Sequence, residues 1–404
     1  MAKLIEITGK ALSGEWGTDD ETGNGIPVLR TTNFTNEGIV DYSNVVTRNI
    51  VKKGIEEKYL RNGDIIIEKS GGSDKQPVGR VIYFDGPEHT YLFNNFTGLL
   101  RVKNQEKWHP RYVFYSLFTN YRSGGTRTFQ NKTTGLHNLK TDDYVSSFNV
   151  TEIDIATQEA ICKKLDLVSG IIRMHQKQLQ KLDDLVKARF VELFGNPISN
   201  PMKWDIYQLE ECLERIDNGK SFICSDKPRN GDNPAILKLS AATYGDYRPN
   251  ENKALLDESL FVESSEVHAG DLLFTRKNTP ELVGTAAYVQ NTPPKLMMPD
   301  LIFRLVPNEK VNAVFLWQLI NCKEFRPVIQ AISGGSAKSM SNISKERLGK
   351  IKVICPPREL QDSLIPFVKR VDKSKVIEAI YKTNTLFNIT LSGGSRYDIR
   401  ANEF

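Results

Sequence analysis

The stretch from Thr157 to Gly195 constrains everything else in this 404-residue chain. Its apolar residues recur at spacings of four and three: Ile161, Leu165, Val168 and Ile172, then Leu179, Leu182, Val186 and Leu193. That alternation keeps one seam of a helix turned toward one partner helix, as in a coiled coil. His175 and Arg189 fall on the seam, with Leu185 and Phe190 beside it. Thr157, Glu159 and Ala160 suit a first turn, and Gly195-Asn196-Pro197 is a stop signal. At 1.5 Å per residue the helix would be roughly 55 Å long. Such a helix is unstable alone, so the chain must supply a mate.

A repeat supplies it. Up to about residue 155 the chain reads as short β-rich segments with turns between them. Gly63-Asp64 leads into a strand at Ile65 to Ile67, and Val81 to Phe84 forms another. A helix is expected over Trp108 to Phe118, with Tyr112, Tyr115 and Phe118 on one side, before a glycine loop from Ser123 to Arg127. The same programme returns after the central helix. Pro27-Val28-Leu29-Arg30 is matched by Pro234-Ala235-Ile236-Leu237-Lys238, and Gly63-Asp64-Ile65-Ile66 by Gly270-Asp271-Leu272-Leu273. Val78-Gly79-Arg80 is matched by Val283-Gly284-Thr285, helical Tyr112 to Phe118 by Val314 to Ile320, and the Ser123 loop by Ser333 to Ser336. Order is kept at a separation of roughly 205 to 210 residues, which marks an internal duplication. Gln158 and its helix therefore recur at Gln361, where Leu364, Val368 and Val371 open a second seam. That seam slips by one residue to Val376, Ile380, Thr383 and Leu386, and Pro366 near its start predicts either a kinked first turn or a helix that begins there. The expected fold is α+β: two duplicated α/β domains separated by two long antiparallel coiled-coil helices, in a pseudo-two-fold arrangement. The boundaries are 1–155 and 196–356 for the domains, 156–195 and 357–392 for the helices, and 393–404 for a tail.

Composition narrows the function. With 54 basic and 49 acidic side chains the formal charge is only +5, which permits nucleic-acid binding without pointing to it. Cys162, Cys212, Cys224, Cys322 and Cys355 are scattered and form no CxxC pair, so reduced thiols are expected rather than disulfides or a zinc site. No apolar run approaches the eighteen residues of a membrane span, and the start has no signal-type core. A soluble, cytoplasmic protein follows. Catalytic patterns are missing. Gly219-Lys220-Ser221 lacks the upstream glycine of a phosphate loop, and the five histidines form no HxH or HExxH. Asp64 with Glu68-Lys69 faintly resembles a nuclease carboxylate cluster, but Asp271 to Lys277 has no acid at the matching place. The expectation is a chain with no catalytic centre, no metal and no cofactor of its own.

A duplicated globular unit, each copy followed by a long helix, strongly resembles the specificity subunit of type I restriction-modification systems. The resemblance covers nearly the whole chain. It rests on Ser13-Gly14-Glu15-Trp16-Gly17 with Ile26 to Arg30, on Gly63 to Ile66 leading into Val78-Gly79-Arg80, and on Ile354-Cys355-Pro356-Pro357-Arg358-Glu359-Leu360-Gln361. The central helix ending Phe190-Val191-Glu192-Leu193-Phe194-Gly195 completes the set. Two departures stand out: Asp154 to Thr157 replaces the Pro-Pro before Gln158, and the second helix ends in Ser392 to Phe404 rather than Leu-Phe-Gly.

The resemblance implies that each domain is a target-recognition domain reading one half of a split site in double-stranded DNA. It implies that the helices space the domains and dock two methyltransferase subunits, with restriction subunits joining through them. S-adenosylmethionine, ATP and magnesium would belong to those partners. Phosphate and base contacts are then expected from Lys69, Lys75, Arg80, Arg122, Arg127 and Lys132 in the first domain. In the second, Arg276, Lys277, Lys338 and Lys345 hold the corresponding repeat positions. The Arg122 to Arg127 loop is expected to offer backbone N–H groups to a phosphate as a nest. Three other readings stay open: a recognition module for another DNA-modifying or restriction enzyme, a stand-alone site-specific nuclease, and a coiled-coil adaptor that binds no DNA.

Overall fold

The computed structural model describes residues 1–73, 76–133, 136–334 and 340–375. The chain forms two compact units, the first covering Met1–Ile171 and the second starting at Ile172. The first unit begins with strand β1 (Ala2–Lys3), helix α1 (Leu4–Thr8), β2 (Leu12–Ser13), β3 (Thr18–Asp19), β4 (Ile26–Leu29), β5 (Val46–Asn49) and β6 (Ile65–Glu68). It continues through β7 (Val81–Tyr83), β8 (Leu92–Phe93), β9 (Thr97–Leu100), α2 (Pro110–Arg122), the hairpin β10 (Gln130–Thr133) and β11 (Leu136–Leu139), α3 (Thr141–Ser147) and β12 (Asn149–Val150). The 40-residue helix α4 (Ile155–Phe194) follows. One antiparallel sheet has the order β2-β9-β6-β7; a second has the order β3-β5-β4-β8, with β4 and β8 parallel. Strand periodicity divides the core. Ile65 and Ile67 face one way, into the cluster with Val113, Phe114 and Leu117 of α2. Ile66 faces the other way and packs with Leu29 and Phe93 of the second sheet. The central strand is therefore buried on both faces, which is why it reads as an unbroken apolar run.

The second unit repeats the main sheets of this plan, without a counterpart of β3. Its elements are β13 (Asp205–Gln208), β14 (Leu213–Asn218), β15 (Ala235–Leu237), β16 (Asn252–Ala254), β17 (Leu272–Thr275), β18 (Lys277–Asn278), β19 (Ala286–Tyr288), β20 (Leu296–Met297) and β21 (Ile302–Pro307). Then come α5 (Ala313–Asn321), α6 (Arg326–Ala331), β22 (Ser341–Asn342), α7 (Lys345–Gly349), β23 (Lys352–Cys355) and α8 (Arg358–Asp362). The sheet order β14-β21-β17-β19 matches β2-β9-β6-β7, and β15 again pairs one neighbour antiparallel and the other, β20, parallel. Leu272 and Phe274 face the helical side while Leu273 faces the second sheet.

The repeated motifs prove to be structural. At Gly79 and Gly284 the backbone is left-handed, φ +107° and +74°, and a Cβ would meet Thr126 Cγ2 at 2.8 Å and Ile329 Cγ2 at 2.2 Å. Both positions need glycine twice over. The Gly-Asp motif places Asp64 against Arg101, with oxygens 2.7 and 2.6 Å from Nε and Nη2. Asp271 also forms an ion pair with an arginine, Arg304, but through a single approach at 3.0 Å, while the other Arg304 nitrogens turn to the Glu266 carbonyl and Asp217.

The glutamines near the start of α4 and in α8 carry the closest match. Gln158 and Gln361 are both fully buried. Gln158 Oε1 accepts from the His109 N–H at 2.9 Å, and its Nε2 donates to the Lys107 and Ile153 carbonyls at 2.9 and 2.8 Å. Gln361 Oε1 accepts from the Asn312 N–H at 3.0 Å, and its Nε2 donates to the Lys310 and Pro356 carbonyls at 2.9 and 2.7 Å.

The helices differ from expectation at their ends. α4 starts at Ile155, because Asp154 caps it: Oδ1 accepts from the Thr157 N–H at 2.8 Å and Oδ2 from the Thr157 hydroxyl at 2.6 Å. α2 starts at Pro110 rather than Trp108, since proline suits the first helical position and holds the residue before it extended. The buried line of α4 also runs through Phe190 and Phe194, at 2% and 0% exposure, while Leu185 is 49% exposed. In the second unit Val186, Leu364, Val368 and Val371 share one core, with Leu182 and Leu193 against it. Arg189 lies over the Phe367 ring at 5.9 Å, and Lys375 Nζ meets Asp183 at 2.5 Å, so these two segments run antiparallel. Ser363 interrupts the second helix three residues before Pro366, whose missing N–H and ring disfavour a continuous turn there. Ile161 packs into the first unit's core, and Leu165, Val168, Ile172 and Leu179 are half-buried. Val376, Ile380, Thr383 and Leu386 lie outside the described residues.

Gln361→Ala removes three buried hydrogen bonds and leaves their backbone partners without it, a loss of about 3 kcal/mol. Denaturant unfolding of the full chain should show a midpoint lowered accordingly; an unchanged midpoint would mean that the amide is dispensable.

Candidate nucleic-acid interface

The cations expected at an interface separate by what already holds them. Arg80 is fully engaged inside its domain, which corrects its expected role. Its Nε and Nη2 straddle Glu68 at 3.1 and 2.9 Å, and Nη1 and Nη2 donate to the Phe34 and Thr31 carbonyls at 3.3 and 3.1 Å. The Glu68 side chain is only 2% exposed, so this is a buried ion pair. In the second unit hydroxyls replace it, with Thr275 Oγ1 2.9 Å from Thr285 Oγ1. Asp64 and Glu68 thus sit in separate arginine pairs, which argues against a shared metal site. Among the described residues no cluster of three or more acid, histidine or cysteine side chains has the arrangement of a metal centre.

The glycine loop is also not an open nest. The N–H groups of Ser123, Gly124, Gly125 and Arg127 donate to the carbonyls of Thr119, Tyr121, Asn120 and Gly124, at 2.8 to 3.0 Å. They cap α2, and a helix C-terminus carries partial negative charge that repels phosphate. The side chains tell a different story. Arg122 and Arg127 are exposed on this cap and make no ion pair among the described residues.

Two further cations flank one ring. Arg276 and Lys345 lie over Phe303, at 4.7 and 5.7 Å from its centroid. Arg276 also donates to Asn342 Oδ1 at 3.3 and 3.4 Å, and Lys345 to the Ile216 carbonyl. Lys277 Nζ is 3.7 Å from Asp300. All three are committed to holding their domain together. Lys75 and Lys338 fall outside the described residues, and Lys132 lies in β10 opposite His137.

Lys69 sits where several elements converge. Its N–H and that of Ser70 donate to the Phe96 carbonyl at 2.8 and 3.2 Å, and its own carbonyl accepts from the Leu139 N–H at 2.8 Å. These bonds fasten the β10–β11 hairpin to the end of β6. The Lys69 ammonium donates to Ser13 Oγ at 2.8 Å. Burial holds it below the usual lysine range, with Asp142 opposing that shift and Lys58 adding to it. Around Lys69 lies a concavity of about 560 Å³, lined among others by Asn95, Phe96, Asn138, Lys140 and Asp142. Phe96 is 52% exposed within it. Charge-based reasoning from the sequence did not single out Phe96 or Asn95. The available signal was the Asn94-Asn95-Phe96 turn directly before a strand.

A family model for the type I restriction modification DNA specificity domain matches residues 2–184 and again 201–386. The chain belongs to this family. Over 175 residues it is 31% identical to the type I restriction enzyme EcoEI specificity subunit of Escherichia coli, an alignment covering 43% of this chain and 30% of that protein. It is 25% identical over 301 residues to the EcoKI specificity subunit of Escherichia coli strain K12, covering 69% of this chain and 61% of that one. The alignments thus span less than two thirds of either relative. The crystal structure of the type I restriction-modification S subunit from M. genitalium superposes with a TM-score of 0.54 over 96% of this chain and 93% of that one, at 12% identity. The specificity-domain family therefore shares the duplicated α+β fold seen here.

Arg80→Ala strands a buried carboxylate and should cost about 3–5 kcal/mol in denaturant unfolding. Arg127→Ala, at an exposed cap, should stay within about 0.5 kcal/mol of the parent. Equal stability for both variants would contradict this division of roles.

Proposed function

We propose that this chain is the DNA sequence-recognition subunit of a type I restriction-modification complex. Residues 1–155 and 196–356 each read one half of an asymmetric, bipartite site, and the chain itself performs no catalysis. The observation that carries this reading is the double set of scaffold bonds, Gln158 and Gln361 together with the Asp64–Arg101 and Asp271–Arg304 pairs, beneath unlike surfaces. Two domains built alike and surfaced differently suit two different short sequences presented by one duplex.

Residues 156–195 and 357–392 act as the spacer pair, with Leu165, Val168, Ile172 and Leu179 among the seam positions of the first helix. This pair also docks two methyltransferase subunits, through which restriction subunits join. S-adenosylmethionine, ATP and magnesium are held by those partners. For both domains to reach the major groove from one face of the duplex, their centres lie about one helical turn of DNA apart, roughly 10 base pairs, or slightly more. The balanced charge supports a chain that closes on DNA together with its partners rather than alone. Among the described residues no helix is long and apolar enough to cross a membrane, which fits work on chromosomal DNA in the cytoplasm. A stand-alone nuclease is the weaker reading, because Asp64 and Glu68 are each held by an arginine.

Inserting about four residues into the exposed middle of α4 adds roughly 6 Å of helix rise. With the methyltransferase co-expressed, the gap of the methylated site should widen by about two base pairs at 3.4 Å each, with both half-sites unchanged. Altered half-sites at an unchanged gap would contradict the spacer assignment. Arg127→Ala should weaken DNA binding and reduce its salt slope by about one; an identical slope would remove Arg127 from the interface.

A further inference from the structure

The two units can be aligned hydrogen bond by hydrogen bond, and this shows where they part. The Lys69 N–H donates to the Phe96 carbonyl at 2.8 Å, as the Arg276 N–H does to Leu301 at 3.0 Å. The Thr97 N–H returns to the Asn94 carbonyl at 3.0 Å, as the Ile302 N–H does to Pro299 at 3.1 Å. The backbone of this turn is therefore the same in both units, and Asn95 corresponds to Asp300 and Phe96 to Leu301. The side chains are not the same. In the second unit the turn is closed by its own contacts: Asp300 accepts from Ser221 Oγ at 2.6 Å and lies 3.7 Å from Lys277, while Leu301 is half-buried. In the first unit Asn95 is exposed and makes no hydrogen bond among the described residues, and Phe96 stands 52% exposed.

The turn also holds Phe96 where it is. Thr97 Oγ1 donates to the Asn94 carbonyl at 2.8 Å, and Asn94 itself is only 4% exposed. An aromatic ring held in solvent by a turn with these bonds is placed to meet something flat or apolar, and among the described residues the buried Asn94 Oδ1 beside it has no hydrogen-bond partner. Its surroundings say what. Lys69 and Lys140 supply positive charge on the same concavity, but Asp142 and Asp143 lie there too. Two carboxylates oppose a bare phosphate, whereas they match the amino groups that cytosine and adenine present on their base edges. A ring, an amide, two ammonium groups and two carboxylates in one hollow suit base edges better than DNA backbone.

Resting on the proposed DNA-recognition role, we infer that the Asn94 to Thr97 turn of the first domain reads bases. Phe96 lies against a base face or a thymine methyl, and Asn95 bonds a neighbouring base edge. The equivalent turn of the second domain reads nothing. This makes the turn a specificity element for one half-site only.

The test uses the full chain co-expressed with its methyltransferase, selecting from a pool of randomised duplex DNA. The parent complex should enrich a two-part sequence. Phe96→Ala and Phe96→Leu, the latter giving the residue found in the second unit, should keep one half-site and the gap. They should lose preference at one or two positions of the other half and bind the parent sequence on the order of tenfold more weakly. Asn95→Ala should relax a position adjacent to those. Because both residues are exposed, thermal melting of all three variants should match the parent. Enrichment and affinity identical to the parent in the Phe96 and Asn95 variants would overturn the inference while leaving the recognition role intact. A parent complex that enriches no sequence would instead overturn the recognition role, and the inference with it.

Discussion

The structure depends on one buried amide used twice. A glutamine in α4 and another in α8 must each reach out of its helix and satisfy three backbone groups of the adjoining domain. Gln158 does so for His109, Lys107 and Ile153, and Gln361 for Asn312, Lys310 and Pro356. A carboxylate could not replace it, since two of the three bonds need a donor, and a hydrocarbon would strand all three partners. The amide thus fixes where the helix leaves its domain. Within the first unit, Asp166 of α4 adds a second tie by accepting from Arg111 at 2.8 Å and Tyr115 at 2.6 Å. Within the second, Phe190 and Phe194 add an apolar one against Phe315.

Much of this was legible in the sequence because duplication doubles every weak signal. Gly-Asp before a strand is common, but Gly-Asp twice in register with Val-Gly twice is not. The two duplicated domains, a helix after each, and the recurrence of Gln158 at Gln361 all followed from that spacing, whereas the order of the strands in the sheets did not. The reasons for the motifs were not legible. Asp64 and Asp271 are retained for the arginines Arg101 and Arg304, which lie more than thirty residues further along the chain. Periodicity put Phe190 beside the seam, yet it is buried: a strict repeat drifts against the helical turn, so the buried line passes through Phe190 while Arg189 still lies over Phe367.

The candidate interface was harder to read for a physical reason. Sequence shows which residues are charged but not which charges are already spent. Arg80, Arg276 and Lys345 are cations consumed by the fold, whereas Arg122 and Arg127 are not. A glycine-rich loop reads as a phosphate nest until its N–H groups are seen to cap the preceding helix. Phe96 carries no charge and falls in no repeated motif, so nothing in the sequence marks it, yet it stands 52% exposed on a turn bonded through Thr97 and the Asn94 carbonyl. A scaffold that repeats the glutamine bonds and the main sheet order beneath surfaces that differ at such points is economical: each domain keeps its frame while its surface changes.

The central claim is that this chain directs modification to one two-part DNA sequence. The most direct test is to map methylated adenines across the host genome with the gene present and with it deleted. The account predicts that a single bipartite motif, two unlike halves around a fixed gap, loses its methylation on deletion and regains it on complementation. An active cognate methyltransferase whose methylation pattern is the same with and without this chain would contradict the claim.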